Sequence, residues 1–181
     1  MDREKIKNSV LVALFSAIIV ICSLITVPAT VPFTLQTFAV FLCLNILGAE
    51  KGILSILIYI LLGVAGLPVF SGFQGGLGAL FNVTGGYITG FIFAALTFRL
   101  IFRLLRKKAE RIAHLVASFS GLLICYISGT IWYIIIFTAN GNNTDFVSLI
   151  SICVLPFIIP DTIKIFLSVI LSEKIKKHIK I

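Results

Sequence analysis

Long apolar runs fill most of the chain, and short segments rich in proline, glycine or charged residues separate them. The apolar residues do not alternate with polar ones over segments of about ten residues, as a membrane β-barrel requires. The pattern therefore predicts an all-α integral membrane protein in which residues 1–181 form a single membrane-embedded substrate-binding domain. We expect six transmembrane helices, at about residues 9–27, 35–49, 52–66, 85–105, 113–138 and 160–177.

Prolines lie in the connection after the first predicted span and in the segment before the last one. Two prolines within residues 28–34 end the first span and hold the connection extended. Residues 146–156 are also apolar, but Pro156 and Pro160 interrupt the run, so we expect only a short outer helix there. Pro160 suits the first position of the last helix, because that position needs no backbone N–H.

The composition supports a membrane protein. Hydrophobic residues make up 59% of the chain and charged residues only 12%, and the mean hydropathy is +1.15. Soluble domains contain about 45–50% apolar residues. The first apolar run is long enough to span a bilayer and does not end in a small-residue cleavage motif, so we expect no removable signal peptide.

The net charge of +8 follows the predicted topology. An even number of spans brings all but one of the 15 Lys and Arg residues to one side. By the positive-inside rule that side, with both termini, is cytoplasmic in the cell membrane, so nucleic acid is not an expected partner. The exception is Lys164, and the residues on the basic side are 3, 5, 7, 51, 99, 103, 106, 107, 108, 111, 174, 176, 177 and 180.

A glycine-rich stretch at 67–90, LPVFSGFQGGLGALFNVTGGYITG, contains no charged residue. Glycine lets the backbone bend sharply and lets a ligand approach main-chain groups closely. We interpret the stretch as the wall of a ligand pocket; the alternative is a flexible outer loop, although flexible linkers lack large aromatic residues. Its candidate residues are Phe70, Phe73, Gln74, Gly75, Gly76, Phe81, Asn82, Thr84, Gly85, Gly86 and Tyr87.

Asp161 and Lys164 are the candidate charged residues. They lie three apart near the outer end of the last predicted helix, so they share one of its faces. A charge inside the membrane costs about 3 kcal/mol, which favours a functional role in ligand contact. The alternative is a self-satisfied pair that caps the helix, where Asp161 would suit the helix dipole.

Three outer connections converge above the bundle in the predicted topology, at residues 28–36, 67–85 and 139–160. Gln36, Trp132 and Tyr133 add hydrogen-bonding groups or aromatic walls there. Trp132 and Tyr133 lie nearer the middle of the fifth span than its end, which favours a pocket or core position over a membrane-interface belt.

Catalytic and metal-binding motifs are absent from the sequence. It contains no G-x-x-x-x-G-K-[ST], so the chain does not split ATP through a P-loop, and no G-x-S-x-G or H-E-x-x-H. His114 and His178 have no catalytic partner, and the four cysteines lie alone in apolar runs. We therefore expect neither an enzyme nor a metal site; a membrane enzyme that uses Asp161 and Lys164 as acid and base remains the alternative.

Small residues follow one face of the first span. Ala13 and Ala17 lie four apart, and Ser9 lies one step earlier on the same face. This spacing allows two membrane helices to approach closely, either within this chain or against a partner.

Five segments together resemble the BioY family, the biotin-specific S component of energy-coupling factor (ECF) transporters. The segments are ALFSA at 13–17, VPFTLQT at 31–37, GLPVFSGFQGGLGALFNVTGGYITGF at 66–91, GTIWY at 129–133 and PDTIK at 160–164. Their order and spacing agree over nearly the whole chain, although this chain has NVTGGY where the family often has GPTGGY.

The resemblance implies a six-helix bundle that captures biotin with high affinity at its outer face and needs no cofactor. It implies assembly with a transmembrane coupling subunit and two ATPase subunits, which fits the missing P-loop. It also favours docking of that coupling subunit on Ala13 and Ala17, with Ser9 as an extension. An S component for thiamine or riboflavin, or a solitary biotin facilitator, remains an alternative.

The resemblance also suggests roles for the candidate residues. The pairs Gly75–Gly76 and Gly85–Gly86 let the backbone close over the ligand. The two prolines of residues 28–36 and the position of this connection, independently of the resemblance, suggest that it acts as a lid. Lys164 is the leading partner for the carboxylate of biotin, although which end of biotin meets the Asp161–Lys164 pair stays open. Asp161 either contacts the ligand or orients Lys164. The rings lie among Phe33, Phe73, Tyr87 and Trp132, and the ureido group meets Gln36, Asn82, Thr84 and Asp161.

Overall fold

Nearly all regular structure in the computed structural model is helical, which confirms the predicted all-α class. The structure describes residues 3–107, 109–142 and 145–179; Lys108 and Lys180 of the predicted basic side, and the terminal residues, lie outside these ranges. A short antiparallel hairpin, β1 Thr26–Val27 and β2 Phe33–Thr34, joins the first two helices. The described helices are α1 Arg3–Leu24, α2 Gln36–Leu47, α3 Ala49–Val64, α4 Leu77–Leu80, α5 Gly85–Leu105, α6 Glu110–Ala139, α7 Phe146–Cys153 and α8 Leu155–Ile179.

The bounds of α5 agree with the prediction, whereas those of α1 differ from it. α5 covers the predicted range 85–105. α1 begins at Arg3 instead of about residue 9, because the Lys, Arg and Glu residues of the leader are good helix formers. It ends at Leu24, since the chain then enters β1, which pairs with β2; the sequence predicted only an extended connection here.

The start of the last helix differs from the prediction. α8 begins at Leu155, so the interpretation of Pro160 as its first residue is wrong. Pro156, the second residue of α8, occupies the position near a helix start where a missing N–H costs little. Pro160 lies inside the helix, and the separate outer helix α7 ends at Cys153 instead of 156.

Asp145 caps the start of α7. Its Oδ2 accepts a hydrogen bond from the Ser148 backbone N–H at 3.2 Å, and its Oδ1 accepts one from the Ser148 hydroxyl at 2.6 Å. These bonds favour the charged carboxylate and lower the pKa of Asp145. The stabilisation is therefore present above the ordinary carboxyl pKa and is lost as the pH falls.

Four segments in the described part of the chain are long and apolar enough to cross a membrane: Arg3–Leu24, Gly85–Leu105, Glu110–Ala139 and Val147–His178. α2 is apolar but has only 12 residues, and α3 has 16. A straight helix needs about 20 residues to cross the hydrocarbon core. Helix length therefore supports a multi-pass membrane protein without confirming six spans.

α2 lies at the centre of the bundle. Almost all its residues are buried, and it packs against α1, α3, α5, α6 and α8. A helix that is apolar on all sides is typical of a position enclosed by other helices.

Charged contacts gather at one end of the bundle, which we call the basic end. Arg99 Nη2 lies 2.7 Å from Glu50 Oε1, which joins α5 to α3. Arg111 Nε lies 3.4 Å from Glu173 Oε1, which joins α6 to α8. The described Lys and Arg residues other than Lys164 lie at or beside these helix ends, as the charge pattern predicted.

Candidate ligand-binding site

A cavity of about 700 Å³, including the part open to solvent, lies toward the end of the bundle opposite the basic end. Connections 28–36, 67–85 and 139–160 each contribute to its wall, together with α2, α5, α6 and α8. The lining residues are Val31, Pro32, Thr34, Gln36, Thr37, Phe70, Ser71, Gln74, Thr84, Tyr87, Ile88, Phe91, Leu122, Cys125, Tyr126, Phe157, Asp161 and Lys164.

Asp161 and Lys164 form a buried ion pair in the cavity wall. Lys164 Nζ lies 2.8 Å from Asp161 Oδ1, and the two residues are only 6% and 3% exposed, respectively. Because α8 begins at Leu155, the pair lies inside the helix and does not cap it.

Lys164 also connects α8 to the β1–β2 hairpin. Its Nζ donates to the Thr34 carbonyl at 2.7 Å and lies 3.9 Å from the centre of the Phe33 ring. Phe33 stacks on Phe157 with 6.1 Å between ring centres. An ammonium group has three donors, so one remains for a ligand after the bonds to Thr34 and Asp161.

Tyr126 on α6 completes the surroundings of Asp161. Its hydroxyl donates to Asp161 Oδ2 at 2.8 Å. A carboxylate offers about four acceptor positions, and Tyr126 and Lys164 occupy one on each oxygen. Asp161 therefore remains able to accept hydrogen bonds from a ligand.

The Gln36 side chain is held in one orientation. Its Oε1 accepts from the Thr34 hydroxyl at 3.0 Å, and its Nε2 donates to the hydroxyl of fully buried Tyr59 at 2.6 Å. One N–H of the amide and one lone pair of its oxygen remain available, so Gln36 offers the cavity both a donor and an acceptor.

The glycine-rich stretch is a folded wall of the cavity. Phe70 and Gln74 exchange backbone hydrogen bonds of 2.9 and 3.3 Å around a tight turn, and both line the cavity. Gly72 has φ +72° in this turn, a backbone conformation that glycine adopts without strain. Phe73 is 68% exposed and does not line the cavity.

Gly75 and Gly76 shape this wall from behind. A Cβ atom on Gly75 would lie 2.3 Å from the Leu67 carbonyl oxygen. The Gly76 N–H donates to the Gly63 carbonyl at 2.7 Å. Neither glycine lines the cavity. Both instead allow the backbone behind the wall to pack closely against residues 63–67.

Thr84 and Tyr87 line the cavity at the start of α5, as the sequence predicted for pocket residues. The Tyr87 hydroxyl donates to the Cys153 carbonyl at 3.2 Å, which ties α5 to α7. Gly85 packs against the Leu80 carbonyl, where a Cβ would lie 1.8 Å from the oxygen.

Asn82, Gly86 and Trp132 form a contact beside the cavity. Trp132 Nε1 donates to the Asn82 carbonyl at 3.0 Å. A Cβ on Gly86 would lie 2.1 Å from Trp132 Cβ, so glycine is needed for the close approach of α5 and α6. None of these three residues lines the cavity.

Tyr133 lies in a buried cluster with Val31, Leu149 and Cys153. This is the core position that the sequence left open, and it lies outside the cavity lining. Of the predicted ligand residues, Gln36, Thr84, Tyr87, Asp161 and Lys164 line the cavity, and Phe33 contacts it through Lys164 and Phe157.

Sequence reasoning missed Tyr126, Thr37, Ser71 and Phe157 among the lining residues. Tyr126 precedes Tyr133 by seven residues, which is about two helical turns, so the two side chains share a face of α6. That spacing was the signal that could have identified Tyr126. Phe157 was missed because residues 146–159 were assigned to an outer helix and a break.

The predicted docking residues Ser9, Ala13 and Ala17 are all exposed on α1. Their side chains are therefore accessible at the outer surface of the bundle. Exposed apolar neighbours on the same helix include Val10 and Leu14.

No group of three or more His, Cys, Asp or Glu side chains is arranged to hold a metal ion in residues 3–107, 109–142 and 145–179. The Asp161–Lys164–Tyr126 cluster is held by direct contacts within the protein. Its spare donors and acceptors suit ligand recognition.

A helical membrane bundle whose cavity contains a buried charged pair defines a membrane protein that binds a small polar solute. The BioY family model matches residues 1–181, and the chain belongs to the BioY family. This confirms the family suggested by the sequence segments.

Two relatives and one solved structure support this assignment. The biotin transporter BioY of Thermotoga maritima is 38% identical over 177 residues, which cover 97% of this chain and 96% of that protein. The probable biotin transporter BioY of Pyrococcus horikoshii is 41% identical, over 95% and 98% of the two chains. The crystal structure of the S-component for biotin from an ECF-type ABC transporter matches 98% of this chain and 94% of that chain, with a TM-score of 0.84 and 26% identity. These relatives are transporters, in agreement with the prediction that the chain is not an enzyme.

Proposed function

We propose that this chain is the membrane subunit that captures biotin with high affinity for an ECF-type uptake transporter. The observation that carries the proposal is the cavity with the buried Asp161–Lys164 pair, in a fold that matches the S-component for biotin over 98% of this chain. Ligand pockets typically combine apolar walls with a few convergent polar groups, as this cavity does.

The polar groups of the cavity complement the ureido group of biotin, which contains two N–H donors and one carbonyl acceptor. Asp161 has free acceptor positions, while Gln36 offers a donor and an acceptor. Thr84 adds a hydroxyl, and Phe70, Phe91 and Tyr87 provide apolar and aromatic walls for the rings.

The carboxylate of biotin needs a cation, and Lys164 is the cation in the cavity wall. Its remaining donor makes a charge-assisted hydrogen bond to that group. In the opposite orientation of biotin, the ureido group instead of the carboxylate lies at Lys164. Asp161 then accepts from an N–H of the ureido group, and Lys164 donates to its carbonyl.

The hairpin β1–β2 acts as a lid in this proposal. Val31, Pro32 and Thr34 line the cavity, and Lys164 holds the Thr34 carbonyl from the opposite wall. Because Lys164 faces both the lid and the ligand, biotin binding changes how firmly the hairpin is held.

The proposed membrane arrangement has six spans, formed by α1, α2, α3, α5, α6 and α8, with both termini in the cytoplasm. The basic end faces the cytoplasm by the positive-inside rule, and the cavity faces outward. The short α2 is compatible with this arrangement because other helices surround it.

We propose that transport requires partners, in agreement with the absence of a P-loop motif from the sequence. We propose a transmembrane coupling subunit and two ATPase subunits. The exposed small residues Ser9, Ala13 and Ala17 on α1 provide the close-approach surface for the coupling subunit.

Titration of the purified chain with biotin in detergent, followed by calorimetry and by Trp132 fluorescence, tests the proposal. We expect near-stoichiometric binding of biotin and none of thiamine or riboflavin. A folded preparation that binds another vitamin and not biotin would contradict the proposed substrate. Uptake of biotin into vesicles that contain only this chain would contradict the need for partners.

A further inference from the structure

A second cavity, of about 1030 Å³ including its open part, lies at the basic end between the first turn of α6 and the last turns of α8. We call it the basic groove and define it by Glu110, Arg111, Glu173, Lys174, Lys176 and Lys177. Four of these side chains are cations and two are carboxylates, so the groove has an excess of two positive charges.

The carboxylates of the groove neutralise only some of its cations. Arg111 Nε lies 3.4 Å from Glu173 Oε1, and Lys176 Nζ lies 4.0 Å from Glu110 Oε1. Lys174 and Lys177 form no ion pair with any residue that the structure describes. Their ammonium groups are therefore available to an anion from outside the chain.

A buried polar network beneath the groove begins in the core with Asn45. The Ser168 hydroxyl donates to the Ile165 carbonyl at 2.8 Å, so it can only accept from Asn45. The Asn45 amide N–H therefore faces Ser168 at 3.2 Å, and its Oδ1 faces His114 Nδ1 at 2.8 Å. These bonds require a proton on His114 Nδ1.

This arrangement leaves the lone pair of His114 Nε2 facing the groove. Lys176 Nζ lies 3.4 Å from that nitrogen and donates to it. His114 is only 4% exposed and packs 4.4 Å from Phe102 between ring centres, so it is a rigid acceptor. The core network thus holds the ammonium group of Lys176 at the floor of the groove.

Exposed apolar side chains continue from the groove toward the middle of the bundle. Leu167, Ile170 and Leu171 on α8 are 52%, 38% and 38% exposed. A ligand that fits both surfaces has an anionic head and apolar chains. A soluble anion would use only the groove.

We propose that the basic groove binds the phosphate group of an anionic membrane lipid. Arg111, Lys174 and Lys177 donate to the phosphate oxygens, and Lys176 supplies positive charge from the floor. The acyl chains lie along Leu167, Ile170 and Leu171 on α8. Basic pockets between membrane helices recognise anionic headgroups through this combination of charge and position at the membrane surface.

The test uses delipidated protein in a mild detergent, titrated with phosphatidylglycerol and followed by native mass spectrometry. Each lysine near a membrane surface contributes a factor of about five to binding of anionic lipid. The double variant Lys174→Gln, Lys177→Gln is therefore expected to bind about 30-fold more weakly. Its matched control is Lys5→Gln, Lys7→Gln, which removes the same charge from exposed positions on α1 and should change affinity less than about threefold.

Two further arms identify the source of the phosphate. Phosphatidylcholine, which has no net charge, should bind at least about tenfold more weakly than phosphatidylglycerol, and inorganic phosphate at equal concentration should not displace the lipid. Equal loss of affinity in both double variants, equal binding of the two lipids, or displacement by inorganic phosphate would overturn the proposal. If the Lys174, Lys177 double variant does not fold, the two single variants are each expected to bind about fivefold more weakly, and unchanged affinity in both would overturn it.

Discussion

Lys164 uses two of its three donors within the protein, on Asp161 and on the Thr34 carbonyl, and has one left for the cavity. We expect Lys164→Ala to raise the Kd for biotin about 100-fold, because a lost charge-assisted bond contributes about 1.5–3 kcal/mol. Calorimetry measures the change. Lys51→Ala, which removes a lysine that bonds Asn8 at the basic end, is the control. An unchanged Kd in the Lys164 variant would remove this residue from the site.

An analogue of biotin in which an uncharged amide replaces the carboxylate shows which end of biotin meets Lys164. If Lys164 binds the carboxylate, the unsubstituted protein binds biotin more tightly than the amide, and Lys164→Ala removes this difference. If the Asp161–Lys164 pair binds the ureido group, the variant weakens both ligands equally. The ratio of the two Kd values therefore distinguishes the orientations.

Tyr126 lines the cavity but was not predicted from the sequence, whereas Tyr133 was predicted but lies outside the lining. Substitution of each tyrosine tests which assignment is right. Tyr126→Phe removes a bond to charged Asp161, so we expect Kd for biotin to rise about tenfold. Tyr133 was predicted from sequence but lies in a buried cluster outside the cavity lining, so Tyr133→Phe should change Kd less than twofold, within about 0.4 kcal/mol. The reverse result would mean that the ligand lies beside Tyr133 and not in this cavity.

Close packing of α3 against the glycine-rich wall positions Phe70. A Cβ on Gly63 would lie 2.0 Å from the Phe70 ring, which lines the cavity. We expect Gly63→Ala to lower the free energy of unfolding by about 1–3 kcal/mol and to weaken biotin binding, because the ring must move.

Thermal unfolding in detergent and calorimetry measure these two effects. The control is Gly78→Ala, because open space surrounds Gly78. A Gly63 variant with unchanged melting temperature and unchanged Kd would show that Phe70 moves without consequence for the site.

The helices differ in how far their start and end residues could be predicted from the local sequence. Gly85 and the basic residues after Leu105 bounded α5, so its range was predictable. The start of α8 was not, since Pro156 and Pro160 both fit a first turn and only packing against the rest of the bundle selected the earlier one. The β1–β2 hairpin was also missed, because its two short strands have no apolar alternation and depend on each other for backbone pairing.

We propose that the coupling subunit docks on the exposed small residues of α1. We expect Ala13→Trp to prevent co-purification with the coupling and ATPase subunits, because the bulky ring blocks close helix approach. Biotin binding should be unchanged, since Ala13 does not line the cavity.

Leu123→Trp, which enlarges an exposed apolar residue on α6, is the matched control and should leave assembly intact. Assembly of the Ala13 variant at the normal level would place the docking surface on another helix. Loss of assembly in both variants would indicate a general effect of a bulky residue at the membrane-facing surface.

The amino-acid sequence was sufficient for the membrane class, the helical fold, the basic end and the family, because hydropathy, charge and local motifs are properties of contiguous residues. The sequence also indicated Asp161 and Lys164 as candidate site residues, because a charged pair is unusual in an apolar helix. The tertiary structure decided that Tyr126 contacts Asp161, that Thr34 holds Lys164, and that Trp132 and Tyr133 lie beside the cavity instead of in its wall. Those relations depend on the rotation and depth of helices that are distant in sequence, which only the packing of the complete bundle determines.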